Sequence, residues 1–138
     1  MSARLAWCAI LTVLTLAACA SGPETSPSNY TTVVFPAAPQ QSSPADGSVF
    51  SNVPRVTTVT WKAVSGAAAY GVEIDCFHCC QVNRWCSDVQ ANPTFRVDGT
   101  SYTFTFFGAQ PGRWRVWAID ASGGVGTKSG WWTFSYVQ

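Results

Sequence analysis

The chain has 138 residues, and its eight basic and seven acidic side chains give a formal net charge of +1. Only 11% of the residues are charged and no basic cluster is present, which argues against nucleic acid as a partner. Lysine occurs only at Lys62 and Lys128, so a polybasic membrane-binding patch is also not expected. Attachment to a membrane would therefore need a lipid.

The first element in chain order is an export signal. Residues 5–18 form an apolar run after Arg4, and this run is shorter than a typical transmembrane helix. Residues 14–19 end this run with small side chains and a cysteine, which is the form of a bacterial lipoprotein signal. We therefore predict a signal peptide at residues 1–18 and lipidation of Cys19. The alternative is an ordinary secretory signal, or an N-terminal anchor helix, that contains a cysteine by chance.

Lipidation would decide where the protein resides. Several acyl chains hold a protein firmly to a membrane, because each buried methylene contributes roughly 0.8 kcal/mol. Ala20 follows Cys19 at the position where an aspartate often signals retention in the inner membrane. The resemblance to lipoproteins therefore implies attachment to the outer membrane, on its periplasmic side or at the cell surface.

Residues 19–41 read as a disordered linker between the lipid and a folded domain. They are rich in serine, threonine, proline and alanine, and their only charge is Glu24. Such a segment cannot bury enough apolar surface to fold. Four prolines also oppose regular structure: Pro23, Pro27, Pro36 and Pro39.

From Ser42 onward, short runs of alternating apolar and polar residues are separated by glycine and proline turns. One run places Val59 and Trp61 on a single face, and another alternates Tyr70, Val72 and Ile74 with polar or small residues. No stretch after Cys19 shows a helical period. Short strands at this spacing predict an all-β, antiparallel sandwich.

Five parts of this region match the strand pattern of a known family: residues 44–48, Trp61, and residues 64–74, 112–120 and 131–134. Residues 42–138 thus resemble a bacterial fibronectin type III domain. The resemblance implies an immunoglobulin-like sandwich of seven strands and names no ligand, because a fold alone does not specify function. The chain departs from the family pattern at a cysteine cluster in residues 76–86.

That cluster contains Cys76, Cys79, Cys80 and Cys86. An even number of cysteines in an exported chain indicates disulfides, here two bridges with three possible connectivities. Adjacent Cys79 and Cys80 would form a strained pair, so we expect each of them to bond to Cys76 or Cys86. The alternative is a metal site that includes His78. This spacing is not a standard zinc motif, and we expect neither a metal nor a cofactor.

An outer surface of aromatic and basic residues is the candidate binding site. Period two places Trp114 inward and sends Arg113, Arg115 and Trp117 outward, and Trp131 points outward on the last strand. We expect Trp117 and Trp131 to be at least partly exposed. Such rings suit a sugar or a proline-rich peptide. The alternative, which we favour, is an arginine–tryptophan ladder that covers the sheet through cation–π contacts.

Residues for catalysis are few. His78 is the only histidine, and Glu73 and Asp75 would lie about 7 Å apart on one strand face, where pairing with arginines on the next strand is the common outcome. We therefore expect no enzyme, but a lipid-anchored, non-catalytic binding or structural module of the cell envelope, with a glycan or an envelope protein as partner. Two alternatives remain: a carbohydrate-binding module using Trp117 and Trp131, or a small enzyme or metal protein built on the cysteine loop.

Overall fold

The computed structural model describes residues 34–138. The predicted signal peptide at residues 1–18, the predicted lipidation site Cys19 and the linker up to residue 33 lie outside the described residues. Between residues 34 and 138, no helix is both long enough and apolar enough to cross a membrane.

Eight β-strands within the described residues form two sheets that enclose one core, as predicted for an all-β sandwich. In chain order the strands are β1 (Gln41–Ser43), β2 (Ser48–Phe50), β3 (Val56–Trp61), β4 (Ala67–Cys76), β5 (Thr94–Val97), β6 (Ser101–Thr105), β7 (Pro111–Asp120) and β8 (Trp132–Tyr136). The smaller sheet has the order β1-β3-β6, and the larger sheet has the order β2-β8-β7-β4-β5. A short 3-10 helix at Cys86–Asp88 lies between β4 and β5.

The first part of the sandwich differs from the predicted seven antiparallel strands. The chain before β3 forms two short strands with residues 44–47 between them: β1 pairs antiparallel with β3, and β2 pairs parallel with β8. Pro44 has no N–H with which to continue a ladder, and Gly47 adopts a φ of +79°, which bends the chain toward the other sheet. The prediction is therefore corrected to eight strands that include one parallel pair.

The core consists of side chains that the period-two pattern placed inward. Trp114 and Val116 of β7 are fully buried, and Trp61 of β3 is 3% exposed. The centroid of the Trp61 ring lies 5.5 Å from that of Tyr70 and 6.3 Å from that of Trp114, so these rings join the two sheets. The predicted inward direction of Trp114 is confirmed, and Val59 and Trp61 are both buried, in agreement with their predicted common face. Other buried core residues are Val59, Val72, Phe106, Ala118, Phe134 and Tyr136.

Strand β4 is buried on both of its faces, whereas its alternating sequence predicts a half-buried strand. Val72 on the core side is fully buried, but Glu73 and Asp75 on the other side are also only 4% and 1% exposed. Charged side chains remain buried only where other groups cover them and supply hydrogen bonds. Arginines of β7 and residues that follow β4 provide this cover.

The packed region begins before Ser42, the residue predicted as the start of the domain. Pro36 and Pro39 are buried, and the carbonyl oxygen of Pro36 accepts a hydrogen bond from the Thr127 N–H. The buried Gln41 side chain donates a hydrogen bond of 3.1 Å to the carbonyl oxygen of Trp114. Residues from Pro36 onward therefore pack against the sandwich, because their backbone polar groups find partners on its surface.

Candidate functional site: the outer face of the larger sheet

Strands β4 and β7 bring two acidic and two basic side chains opposite each other on the outer face. In the antiparallel register Glu73 pairs with Arg115, and Asp75 pairs with Arg113. The Arg115 Nε atom lies 2.7 Å from Glu73 Oε2, and the Arg113 Nη2 atom lies 2.9 Å from Asp75 Oδ2. Directly opposed side chains of a strand pair interact, and opposite charges there are favourable. The pairing of these acids with arginines on the next strand agrees with the expectation from sequence.

Asp75 is the most deeply buried acid of this face, and Ser87 of the 3-10 helix completes its hydrogen bonding. The Ser87 hydroxyl donates to Asp75 Oδ2 at 2.7 Å, and the Ser87 N–H donates to Oδ1 at 3.3 Å. Arg113 donates to the Ser87 oxygen at 2.7 Å. Both carboxylate oxygens of Asp75 thus have hydrogen-bond donors, as a buried polar group requires. The three side chains therefore fasten the residues after the cysteine loop to β4 and β7.

Glu73 has a second set of donors. Besides Arg115, Lys128 Nζ lies 3.1 Å from Glu73 Oε2, and Asn92 donates to Oε1 at 3.2 Å. Burial raises the pKa of Glu73, but the hydrogen bonds from Arg115, Lys128 and Asn92 outweigh burial and hold that pKa below its ordinary value. Glu73 is therefore ionised at neutral pH and links three different segments of the chain.

Cations and indole rings alternate above these ion pairs. The Arg113 guanidinium carbon lies 4.1 Å from the centroid of the Trp85 ring and 4.4 Å from that of Trp131. The Arg115 guanidinium carbon lies 4.1 Å from the Trp131 ring. All three distances are within the range of a cation–π contact. We call Trp85, Arg113, Trp131 and Arg115 the cation–π ladder.

Of the predicted surface residues, Trp131, Arg113 and Arg115 lie together and are half-buried, but Trp117 differs from the prediction. Trp117 is only 7% exposed, so its expected exposure is wrong. Its ring lies over Gly71 of β4, where the missing side chain leaves room for it against the sheet. Lys128 covers the ring, with its Nζ atom 4.4 Å from the ring centroid. Trp117 is therefore part of the packed structure and is not a free binding ring.

Four residues of this face are absent from the predicted site. Trp85 and Ser87 flank Cys86 in a segment without strand periodicity, and Asn92 and Lys128 lie in loops. Their roles come from contacts across the fold, which residue spacing does not reveal. The sequence offers one signal for the position of Trp85. It immediately precedes Cys86, and a disulfide at Cys86 restricts where the neighbouring ring can lie.

A polar groove adjoins the ladder. Its volume is about 320 Å³, and it lies where Arg115 and Lys128 approach Glu73 and Asn92. An apolar pocket of about 190 Å³ lies near the end of β4, between the edge strands β5 and β6. The groove offers amide, hydroxyl and charged groups, and its Arg115 contacts the half-buried Trp131. Four of the nine residues that line the apolar pocket are phenylalanines. Residues lining the groove also include Ser87, Gln90, Ala91 and Thr94.

The cysteine loop is closed by two disulfides, Cys76–Cys79 and Cys80–Cys86, with Cα–Cα distances of 5.7 and 5.1 Å. Each of the adjacent cysteines thus bonds outward, in line with the expected connectivity. The Nδ1 atom of His78 accepts a hydrogen bond from the Asn83 N–H at 3.0 Å. Within the described residues, no three or more His, Cys, Asp or Glu side chains are grouped so that they could hold a metal ion.

No protein-family model matches the chain, and no curated protein matches it. Several solved structures are similar to it, including the following two. One is an Fn3-like protein from Clostridium thermocellum, with 18% identity over 76% of this chain and 94% of the other, and a TM-score of 0.48. The second is described as FN3tt mut, with 16% identity over 75% of this chain and 97% of the other, and a TM-score of 0.43. The assignment to the all-β class rests on the strands and sheets themselves.

Proposed function

We propose that this protein is a non-catalytic module of the bacterial cell envelope. In this proposal a lipid on Cys19 attaches the chain to the outer membrane, and the linker carries a fibronectin type III-like sandwich with a structural or binding role. The lipid anchor rests on the cysteine and the small residues that end the apolar run of residues 5–18. The role of the sandwich rests on its outer face.

One observation supports a structural role most strongly: the charged groups and tryptophan rings of the outer face are already paired with one another. Arg113 and Arg115 each have a carboxylate partner on β4, and both guanidinium groups also contact Trp131. A ligand at this surface would have to compete with contacts that are already made. These contacts hold β4, β7 and the cysteine loop in one arrangement. Such a face is what a rigid structural unit in the cell envelope needs.

The anchor can be tested in the full chain with a labelled fatty acid. Wild-type protein should take up the label and fractionate with membranes, because several acyl chains bind a bilayer firmly. Cys19→Ser should lose both properties. Cys8→Ser is a matched control, because Cys8 lies within the predicted signal and should leave labelling intact. Labelling that persists in Cys19→Ser, or is absent from wild type, would contradict the proposed anchor.

The polar groove supports carbohydrate binding as a second candidate function. Sugars are often bound by an aromatic ring beside a few amide and charged groups. Here the half-buried Trp131 contacts Arg115, which also lines the groove with Asn92. A glycan would bind in the groove and would not contact the buried Trp117 ring. The binding site that the sequence predicted from Trp117 together with Trp131 is therefore not part of this candidate function.

Titration against a glycan array, monitored by tryptophan fluorescence, separates the two functions. A groove that binds a glycan should lose affinity in Asn92→Ala and keep it in Asn52→Ala. Asn52 is a matched control because it is exposed and, among residues 34–138, its side chain hydrogen-bonds only to the nearby Pro54 carbonyl oxygen. If no glycan binds wild-type protein, the carbohydrate candidate is wrong and the structural role stands.

A further inference from the structure

The two disulfides of the cysteine loop lie in contact with each other. The Sγ atoms of Cys76 and Cys86, which belong to different bridges, are 3.9 Å apart. Cys86 is 5% exposed and Cys76 is half-buried, whereas Cys79 and Cys80 are exposed at the tip of the loop. The cluster therefore has an inner pair of sulfurs that touch and an outer pair that solvent and other molecules can reach.

Contacts outside the loop hold the inner pair together. Cys76 follows Asp75 and Cys86 precedes Ser87, and two hydrogen bonds join Asp75 to Ser87. Arg113 binds both of these neighbours. These bonds do not involve residues 77–85, so they keep Cys76 beside Cys86 even when a disulfide opens. Two groups held at such a distance react with a high effective concentration.

We propose that the cysteine loop is a thiol–disulfide exchange site at which a dithiol reductant converts the two native bridges into a single Cys76–Cys86 disulfide and an exposed Cys79–Cys80 dithiol. A thiolate of the reductant attacks the exposed Cys79 sulfur, which breaks the Cys76–Cys79 bond and releases the Cys76 thiolate. That thiolate attacks the Cys86 sulfur, forms the Cys76–Cys86 bond and releases the Cys80 thiolate. The second thiol of the reductant then displaces Cys79 and closes the reductant's own disulfide.

Over these steps the dithiol of the reductant loses two electrons and becomes a disulfide. Two protons are delivered to the thiolates of Cys79 and Cys80. Attack on the exposed Cys80 sulfur leads to the same product: the Cys86 thiolate is released, attacks Cys76 and expels the Cys79 thiolate. Both routes begin at a sulfur that is accessible and pass through the pair that touches. The chemical class of partner is therefore a small dithiol or the dithiol of an oxidoreductase.

The product is favoured by the same geometry. The Asp75–Ser87 bonds already restrict the ends of the loop that a Cys76–Cys86 bridge closes, so forming it costs little further chain entropy. The two released cysteines have little tendency to bond to each other. Consecutive Cα atoms are about 3.8 Å apart, which is shorter than the roughly 4.4–6.8 Å of ordinary disulfides. They remain as adjacent exposed thiols. This inference does not depend on the proposed lipid anchor or on glycan binding.

Trapping of the partly reduced protein tests the proposal. The full exported chain is treated with one equivalent of dithiothreitol, its free thiols are blocked with N-ethylmaleimide, and the remaining cysteines are reduced and labelled with iodoacetamide. Mass spectrometry then assigns each label. We expect the most abundant two-electron-reduced form to carry maleimide on Cys79 and Cys80. A majority with maleimide on Cys76 and Cys79, or on Cys80 and Cys86, would show reduction without exchange and overturn the proposal, as would the absence of any two-electron form.

Two double variants of the full chain give a second measurement. In Cys79→Ser/Cys80→Ser, Cys76 and Cys86 should be joined, so neither of them should carry maleimide before reduction. In Cys76→Ser/Cys86→Ser, the matched control, Cys79 and Cys80 should both be labelled. Free Cys76 and Cys86 in the first variant would overturn the proposal. If either variant does not accumulate, the trapping of wild-type protein decides alone.

Discussion

Trp117 and Gly71 lie opposite each other on β7 and β4, and the indole ring of Trp117 occupies the space that a Cβ atom at Gly71 would need. This relationship explains why a tryptophan on the outer face of the sheet is buried. Lys128 covers the ring, and its ammonium group also contacts Glu73. The absence of one side chain on β4 thus determines the position of a large ring on β7.

Gly71→Ala should destabilise the domain. The new methyl group would overlap the Trp117 ring, and insertion of volume into a packed site typically costs about 1–3 kcal/mol. Urea unfolding measures this loss. Gly130→Ala is the matched control, because a Cβ there meets nothing within 4 Å and should change stability little. Equal stability of the two variants would show that Trp117 is not held against Gly71.

Trp61→Ala should have a larger effect, because it removes a ring that contacts both Tyr70 and Trp114 in the core. Loss of a buried tryptophan costs roughly 3–5 kcal/mol, which is a large part of the stability of a small domain. Phe107→Ala is a suitable control, because the Phe107 residue is 79% exposed. A Trp61→Ala variant that melts within a few degrees of wild type would contradict the role of Trp61 in the core.

The core of the sandwich could be predicted because it depends on local alternation. Trp114 and Val116 are inward because period two sends every second side chain of a strand to the same face. The formation of two short strands before β3 could not be predicted in this way. It depends on which sheet β1 and β2 can each pair with, and thus on the positions of β3 and β8 in the folded chain.

The outer face could be predicted only in part, because it too depends on contacts between segments that are distant in the sequence. Period two brings Arg113 and Arg115 to one surface, but it contains no information on Trp85, which reaches Arg113 from the cysteine loop. Burial of Trp117 depends on Gly71, a residue of a different strand. Contacts between distant segments decide whether an aromatic residue on a sheet surface is free or covered.

Acidification should remove the stability that Glu73 contributes. Its pKa in the folded protein is below the ordinary value of 4.5, so the folded state binds fewer protons than the unfolded state near that pH. The contribution is therefore complete above about pH 4.5 and is lost as the pH falls through the folded pKa. Glu73→Gln should be less stable than wild type at neutral pH and should lose less of its stability below pH 4.5.

Thermal unfolding from pH 7 to pH 3 checks this prediction. Asp46→Asn is an informative comparison, because the backbone N–H of Thr133 lowers the pKa of the exposed Asp46 carboxyl and gives it an acid-dependent contribution of its own. The effects of Glu73→Gln and Asp46→Asn should add, since the two sites share no partner. Identical pH profiles of wild type and Glu73→Gln would contradict the hydrogen-bonded state of Glu73.

Trp131→Ala distinguishes the ladder from a binding surface. Trp131 contacts two guanidinium groups, and each cation–π contact contributes about 0.5–1 kcal/mol at a surface, so its loss should cost about 1–2 kcal/mol. The arginines would keep their carboxylate partners, which limits the loss to this range. Trp131→Phe should retain part of the stability, because a smaller aromatic ring still presents a face to the cations. If Trp131→Ala instead melts like wild type and only weakens binding to a glycan, the ring serves the groove and the structural role of the ladder is wrong.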